Sequence, residues 1–239
     1  MDINEARRDM AAIFRWSYQL GLSEGICNHY SWSVNDQYFL VNPMGRHWSE
    51  ITASDMLLVD SAGDVVEGEG CVEPTALFIH WRVHQLASHA RCILHTHMPY
   101  ATAITCLEHS RLEMISQNAV RFMDDIAYDD DYGGLAHDTS EGDRIAKALG
   151  DKRILFLAHH GVIVVGPTIA QAFDDLYYLE RACQVQVLAQ STNQRLKRID
   201  DATARRANKQ MTADLAEFSS THLAAIRRIL DRTSPDYAE

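Results

Sequence analysis

Alternating strand-like and helical segments mark this chain as an α/β layered domain. Short apolar runs such as YFLV (38–41) and ILFLAHHGVIVVG (154–166) have strand length, and longer amphipathic stretches with capping signals separate them. No repeat, low-complexity linker or composition break interrupts residues 1–195. With 239 residues, 46% of them apolar, the chain can bury one sizeable core, although two small domains would also fit the length.

The elements follow in order. Residues 4–20 carry Met10, Ile13, Phe14, Tyr18 and Leu20 at helical spacing, with Gly21 as the stop. YFLV (38–41) and MLLVD (56–60) read as strands, the second closed by the turn Ser61-Ala62-Gly63-Asp64. Pro74 suits the first turn of a helix over 74–87, because the N–H it lacks would be unpaired there anyway. RCILHTH (91–97) is a strand that Pro99 ends, and a helix over 98–108 follows. Residues 109–139 read as irregular, with aspartates at 124–131 and Gly133-Gly134 marking loops. A helix over 140–149 comes next, then two apolar β runs broken at His159-His160-Gly161. Thr168 with Gln171 forms a capping box for a long helix to 190, and residues 203–231 are expected to form one last amphipathic helix. On this reading a domain at 1–195 is followed by a helical extension at 196–239, packed on the same domain or on a neighbouring subunit.

Composition excludes several functions. The formal net charge of -11 argues against a nucleic-acid surface, which needs excess Lys and Arg. No stretch approaches the ~20 apolar residues of a membrane span. The N-terminus MDINEARRDM has no apolar signal core, so a cytoplasmic location is expected. Five scattered cysteines, never spaced CxxC, fit reduced thiols rather than a disulfide framework. The five aspartates at 124–131 and the nine Lys or Arg at 195–232 read as solvated surface, or as an acidic and a basic patch meeting across subunits.

Histidine carries the chemical signal. Six of the twelve (His80, His84, His95, His97, His159, His160) fall in three short segments. Residues i and i+2 of a strand share a face, so His95 and His97 present two imidazoles side by side, the usual start of a zinc site. HxH alone is equally consistent with a chance surface pair. A third ligand is expected from LAHHGV, where Gly161 permits a tight turn that aims His160 back across the sheet. Neighbouring strand residues face opposite ways, so only one of His159 and His160 can enter the site. His80 and His84 lie four apart on a helix, where two residues can share a face, and His84 reads as a packed or surface residue. Glu73, just before Pro74, reads either as a helix cap favoured by the dipole or as a catalytic acid/base.

Four segments in order, CNHYSWSV, FLVNPMGRHWSEITASDMLLVD, FIHWRVHQLASHARCILHTHMPYATAI and ILFLAHHGVIVVGPTIAQAFDDLYYLE, make the chain resemble the class II aldolase/adducin family from residue 5 to 190. The resemblance implies a three-layer α-β-α sandwich around a mixed, largely antiparallel sheet. It implies a divalent metal, most often Zn2+ with Mn2+, Fe2+ or Co2+ as alternatives, held by His95, His97 and His160, and it demotes His159. It also implies a homotetramer with sites at subunit borders.

This chain departs from the sugar-phosphate members of that family. Their GNxS turn reads Asn28-His29-Tyr30-Ser31 here, and their TPSG turn reads Asn42-Pro43-Met44-Gly45. Where they carry two serines and the catalytic glutamate, this chain has Pro74, Thr75 and Ala76. Hydroxyl donors to phosphate are missing, which implies a non-phosphorylated substrate. Glu73 becomes the candidate acid/base, and His29, Asn42 and His80 the substrate-binding candidates. The expected function is a metal-dependent lyase, an aldolase or decarboxylase forming a metal-stabilised enolate from a small oxygenated acid or carbonyl compound. The alternatives are an iron or manganese oxidase or oxygenase on the same scaffold, and a non-catalytic adducin-like interaction module.

Overall fold

The computed structural model of the chain describes residues 2–134 and 139–239. The end of the segment expected to be irregular, at 135–138, lies outside them. Helix α1 (Ile3–Gln19) is capped by Asp2, whose carboxylate accepts from the N–H groups of Asn4 and Glu5. It ends where Gly21 takes φ +70, a conformation cheap only for glycine. Met10, Ile13 and Phe14 are buried as their spacing predicts, but Tyr18 remains 45% exposed.

Eight strands form one sheet: β1 (His29–Ser33), β2 (Tyr38–Val41), β3 (Leu57–Asp60), β4 (Val65–Glu67), β5 (Cys92–Thr96), β6 (Ile126–Asp129), β7 (Ile154–Leu157) and β8 (Gly161–Gly166). Their spatial order is β4-β3-β2-β1-β5-β8-β7-β6. Every pairing is antiparallel except that of β6 with β7. The sheet is therefore mixed and largely antiparallel. Helices cover both faces: α2 (Pro74–Leu86) and α5 (Thr139–Leu149) on one side, α1, α3 (Pro99–Thr105) and α6 (Ile169–Gln190) on the other.

Period-two alternation sorts side chains between the two layers. On β5, Cys92 and Leu94 join the core beneath α1 and α6, while Ile93 joins the core beneath α2 and α5. β8 divides likewise, with Val162 and Val164 on the first side and Ile163 and Val165 on the second. Strand β1 follows the rule with a difference. Tyr30 and Trp32 enter the α1 core, whereas the residues facing α2 are His29 and Ser31. Both are buried, so the α2 layer holds a polar seam inside the protein.

Two expectations need correction. The last amphipathic stretch is two helices, α7 (Asp201–Thr212) and α8 (Leu215–Thr233), broken at Ala213-Asp214. The helices dock on different surfaces, which requires a change of direction. Asn208 of α7 donates to the carbonyls of Val120 and Arg121 at 2.9 Å, at the end of the short helix α4 (Gln117–Val120). α8 instead buries Leu223, Ile226 and Leu230 against α6 and α1. The region expected to be irregular also contains α4 and β6. Strand β6 is a half-buried edge strand ending in aspartate, a residue depleted in strands, so its composition hides it.

The basic stretch meets acidic residues of its own chain. Arg205 pairs with Asp124, and Arg198 with Glu113 at 2.5 Å. Arg227 bonds Asp9 at 2.9 Å. No helix among the described residues is long and apolar enough to cross a membrane.

Candidate metal centre

The antiparallel register of β5 and β8 creates the centre. His95 stands opposite Ile163, and Thr96, the last residue of β5, opposite Val162. His97 follows directly, and the β7–β8 turn returns the chain beside it at His160. The ring centres of His95, His97 and His160 lie 4.7 to 5.1 Å apart. One nitrogen from each falls within 4.8 Å of the others.

The turn works differently from the sequence expectation. Gly161 is not its left-handed residue; His159 is, at φ +57. That residue reverses the backbone, and its own side chain is exposed. Gly161 is required for close approach instead. A Cβ there would lie 2.5 Å from the Thr96 carbonyl oxygen and 2.9 Å from Cδ2 of His97. The absence of a side chain lets β8 pack against the segment that carries the histidine pair.

Hydrogen bonds orient two of the rings. Nδ1 of His95 donates to the Val162 carbonyl at 3.0 Å, so its Nε2 keeps a lone pair. Nδ1 of His97 donates to the Glu24 carboxylate, and its Nε2 is buried with no hydrogen-bond partner. A buried nitrogen left unpaired is costly unless a ligand satisfies it. Burial pushes the pKa of His95 well below the usual histidine value and that of His160 down to about 4. Three imidazoles converging this closely, one with an orphaned nitrogen, fit a divalent cation.

The other candidates are placed as follows. His29 pairs with His95 in the β1–β5 register, their ring centres 4.9 Å apart. Burial lowers its pKa to about 4, against the pull of the Glu73 charge. His80 is wholly buried on α2, with Nε2 taken by His29 at 2.7 Å and Nδ1 by Ser31. Both its nitrogens are occupied, so His80 reaches the centre only through His29. Asn42 accepts from the Tyr30 N–H at 3.1 Å and donates to the Asn28 carbonyl at 3.5 Å, pinning β2 to β1. Its amide is likewise spent on backbone. Glu73 caps α2: Oε2 accepts from the Ala76 N–H at 2.8 Å and from the Thr75 hydroxyl.

Several supporting residues carry roles that the sequence did not signal. Glu24 lies 73 positions from the histidine that it orients. Asn28, at φ +74, accepts from the His97 N–H at 3.4 Å. Glu180 on α6 is 3% exposed, and its two oxygens accept from the N–H groups of Tyr100 and Ala101 at 2.8 and 2.9 Å. It thereby fixes the start of α3, three residues beyond His97. Each of these contacts depends on register or packing between distant segments. A cavity of ≈ 640 Å³ opens nearby, lined by His159, His109, Arg111 and Asp130 among others but by none of the three histidines.

Comparison with known proteins agrees with this architecture. The sequence profile described as "Class II Aldolase and Adducin N-terminal domain" matches residues 8–187. A Caulobacter vibrioides protein described as an aldolase class 2 protein is 31% identical over 98% of this chain and 92% of its own. The crystal structure of an aldolase II superfamily protein from Pseudomonas syringae superposes with a TM-score of 0.91 at 30% identity, covering 99% of this chain and 96% of that one. L-fuculose 1-phosphate aldolase from Glaciozyma antarctica superposes with a TM-score of 0.86 at 26% identity, covering 99% and 92%. The eight-stranded sheet with helices on both faces and the extent of the sequence match lead to one conclusion: the chain belongs to the class II aldolase and adducin family.

Proposed function

We propose that the protein is a divalent-metal-dependent lyase, an aldolase or decarboxylase acting on a small, non-phosphorylated oxygenated acid or carbonyl compound. The observation that carries this reading is the convergence of three imidazoles around the unpartnered Nε2 of His97. A divalent cation held by His95, His97 and His160, zinc ahead of manganese, iron or cobalt, supplies the Lewis acidity that stabilises charge developing on a substrate oxygen.

The chain's own groups perform the remaining tasks. Glu73 moves the proton: both of its hydrogen bonds fall on Oε2, which leaves Oε1 to take or return a proton at carbon. His29, beside His95, meets the substrate's polar groups, and His80 holds His29 in place. The α2 N-terminus supports a substrate without phosphate. Pro74 has no hydroxyl, the Thr75 hydroxyl is bound to Glu73, and the Asn42 amide is bound to backbone.

The likeness to an L-fuculose 1-phosphate aldolase supports lyase chemistry, whereas the adducin members of the family support a non-catalytic alternative. The intact histidine triad favours the enzyme. We also assign the protein to the cytoplasm as a homotetramer, in keeping with its five free cysteines and its family. Residues 196–239 form a helical extension, and the docking of α8 on α1 and α6 supports packing on the domain of the same chain.

The deciding experiment is metal analysis followed by a screen of small keto and hydroxy acids with the metal-replete protein. His97→Ala is expected to abolish metal binding, and Glu73→Gln to retain metal and lose turnover. Zinc supports the lyase, while iron or manganese with oxygen consumption moves the assignment to an oxygenase. A protein that binds no divalent metal supplied in excess removes both enzyme readings.

A further inference from the structure

The polar seam between β1 and α2 is a continuous chain of hydrogen bonds. Nδ1 of His29 meets Nε2 of His80 at 2.7 Å, and Nδ1 of His80 meets the Ser31 hydroxyl. Ser31 Oγ meets Nε2 of His84 at 2.8 Å, and Nδ1 of His84 meets the Ala90 carbonyl at 2.7 Å. The sequence reading of His84 as a packed or surface residue is therefore incomplete.

The last link sets the direction of all the others. A carbonyl only accepts, so Nδ1 of His84 carries hydrogen, and in a neutral ring Nε2 must accept. Burial keeps His80 and His84 neutral. Ser31 has a single hydroxyl hydrogen, which it gives to His84, so its oxygen accepts from Nδ1–H of His80. Nε2 of His80 then accepts from Nδ1–H of His29. The polarity set at a main-chain carbonyl reaches the residue beside His95 through three side chains. His29 is left with a lone pair on Nε2, where no hydrogen bond is formed among the described residues.

We propose that Nε2 of His29 accepts a hydrogen bond from a hydroxyl group of the substrate, so that the site selects hydroxy acids and rejects an anionic oxygen at that position. This rests on the metal-dependent reading above and adds a specificity to it. A hydroxyl offers a donor to the lone pair. A fully ionised phosphate-ester or carboxylate oxygen offers only lone pairs of its own, and the two repel. Ser31, His80 and His84 are positioning residues that act through His29.

Two measurements test this. Long-range ¹H–¹⁵N correlation spectra of labelled protein read the tautomer of each ring, with and without zinc. The expected result is hydrogen on Nδ1 of His29, His80 and His84; hydrogen on Nε2 of His29 overturns the proposal. Calorimetric titration of zinc-loaded protein with glycolate and with methoxyacetate then compares two acids that differ by a methyl in place of the hydroxyl hydrogen. Glycolate is expected to bind about tenfold more tightly, the worth of one good hydrogen bond. Ser31→Ala, which cuts the chain, should bring that ratio close to one while zinc is retained, and Ser31→Thr should restore it. An unchanged ratio in Ser31→Ala sinks the proposal and leaves the metal site standing. If the protein takes up no zinc, the metal reading fails instead, and the spectra of the metal-free protein still decide the direction of the chain.

Discussion

Gly161→Ala tests how the histidine pair and the returning turn are held together. The added methyl would sit 2.5 Å from the Thr96 carbonyl oxygen and 2.9 Å from a ring carbon of His97. The first neighbour is backbone and cannot rotate away, so β8 must withdraw from the end of β5. That withdrawal also strains the 3.0 Å bond from His95 Nδ1 to the Val162 carbonyl, one residue further along β8. Overpacking of this kind costs about 2 kcal/mol. For a chain of this size that corresponds to a fall in melting temperature of roughly 4–8 °C. Zinc affinity should drop by about ten- to a hundredfold, as for other disturbances of the groups that orient metal ligands. Thermal denaturation in chelator measures the first effect, and competition with a chromophoric zinc chelator measures the second. Gly133→Ala is the control, since a Cβ there meets nothing within 4 Å. If Gly161→Ala melts and binds zinc like the control, close approach is not what the glycine provides.

Three further outcomes are expected. Glu24→Ala frees the His97 ring and should weaken zinc binding by about ten- to a hundredfold with little change in the melting temperature of the metal-free protein; equal affinities would show that the ring is oriented by other contacts. Glu180→Ala removes the acceptor of two N–H groups at the start of α3 and should cost about 2–6 kcal/mol in urea denaturation, about 1–3 kcal/mol being the usual penalty for each buried group left unpaired; a cost below that of a surface substitution would contradict the capping role. Burial holds His84 at about 4 against its ordinary 6.5. The unfolded chain therefore takes up the proton first. This contribution to stability is fully present above pH 6.5 and is lost as pH falls toward 4, about 3 kcal/mol in all. Burial lowers His29 and His160 to about 4 as well. His84→Gln should therefore reduce the slope of the stability profile of the metal-free protein across that window by one proton's worth without abolishing it, and parallel profiles would refute the assignment.

What could be read in advance was local. Strand lengths, Pro74 at the first turn of α2, the Thr168 cap and the i, i+2 spacing of His95 and His97 each depend on a few neighbouring residues, and the backbone expresses them directly. His160 stood out because an apolar strand ended there beside a glycine, although the reason assigned to that glycine was incomplete. Alternation on β1 was equally local, yet HYSWS does not read as a strand when two of its inward residues are polar.

Contacts between distant segments were decided only by the tertiary structure. Periodicity continues unbroken from residue 203 to 231, because α7 and α8 each have an apolar face; only the positions of α4 and α6 require the chain to turn between them. The β1–β5 register sets His29 against His95, and α2 closes over β1 so that His80 and Ser31 share a hydrogen bond. Glu24 orients His97 and Glu180 holds the start of α3 just beyond it, each from a distant part of the chain. The sequence by itself determined which atoms are available to bind a metal. Packing determined which of their lone pairs stay free, because a ring's tautomer depends on the partner at its other nitrogen, and that partner comes from another strand or helix.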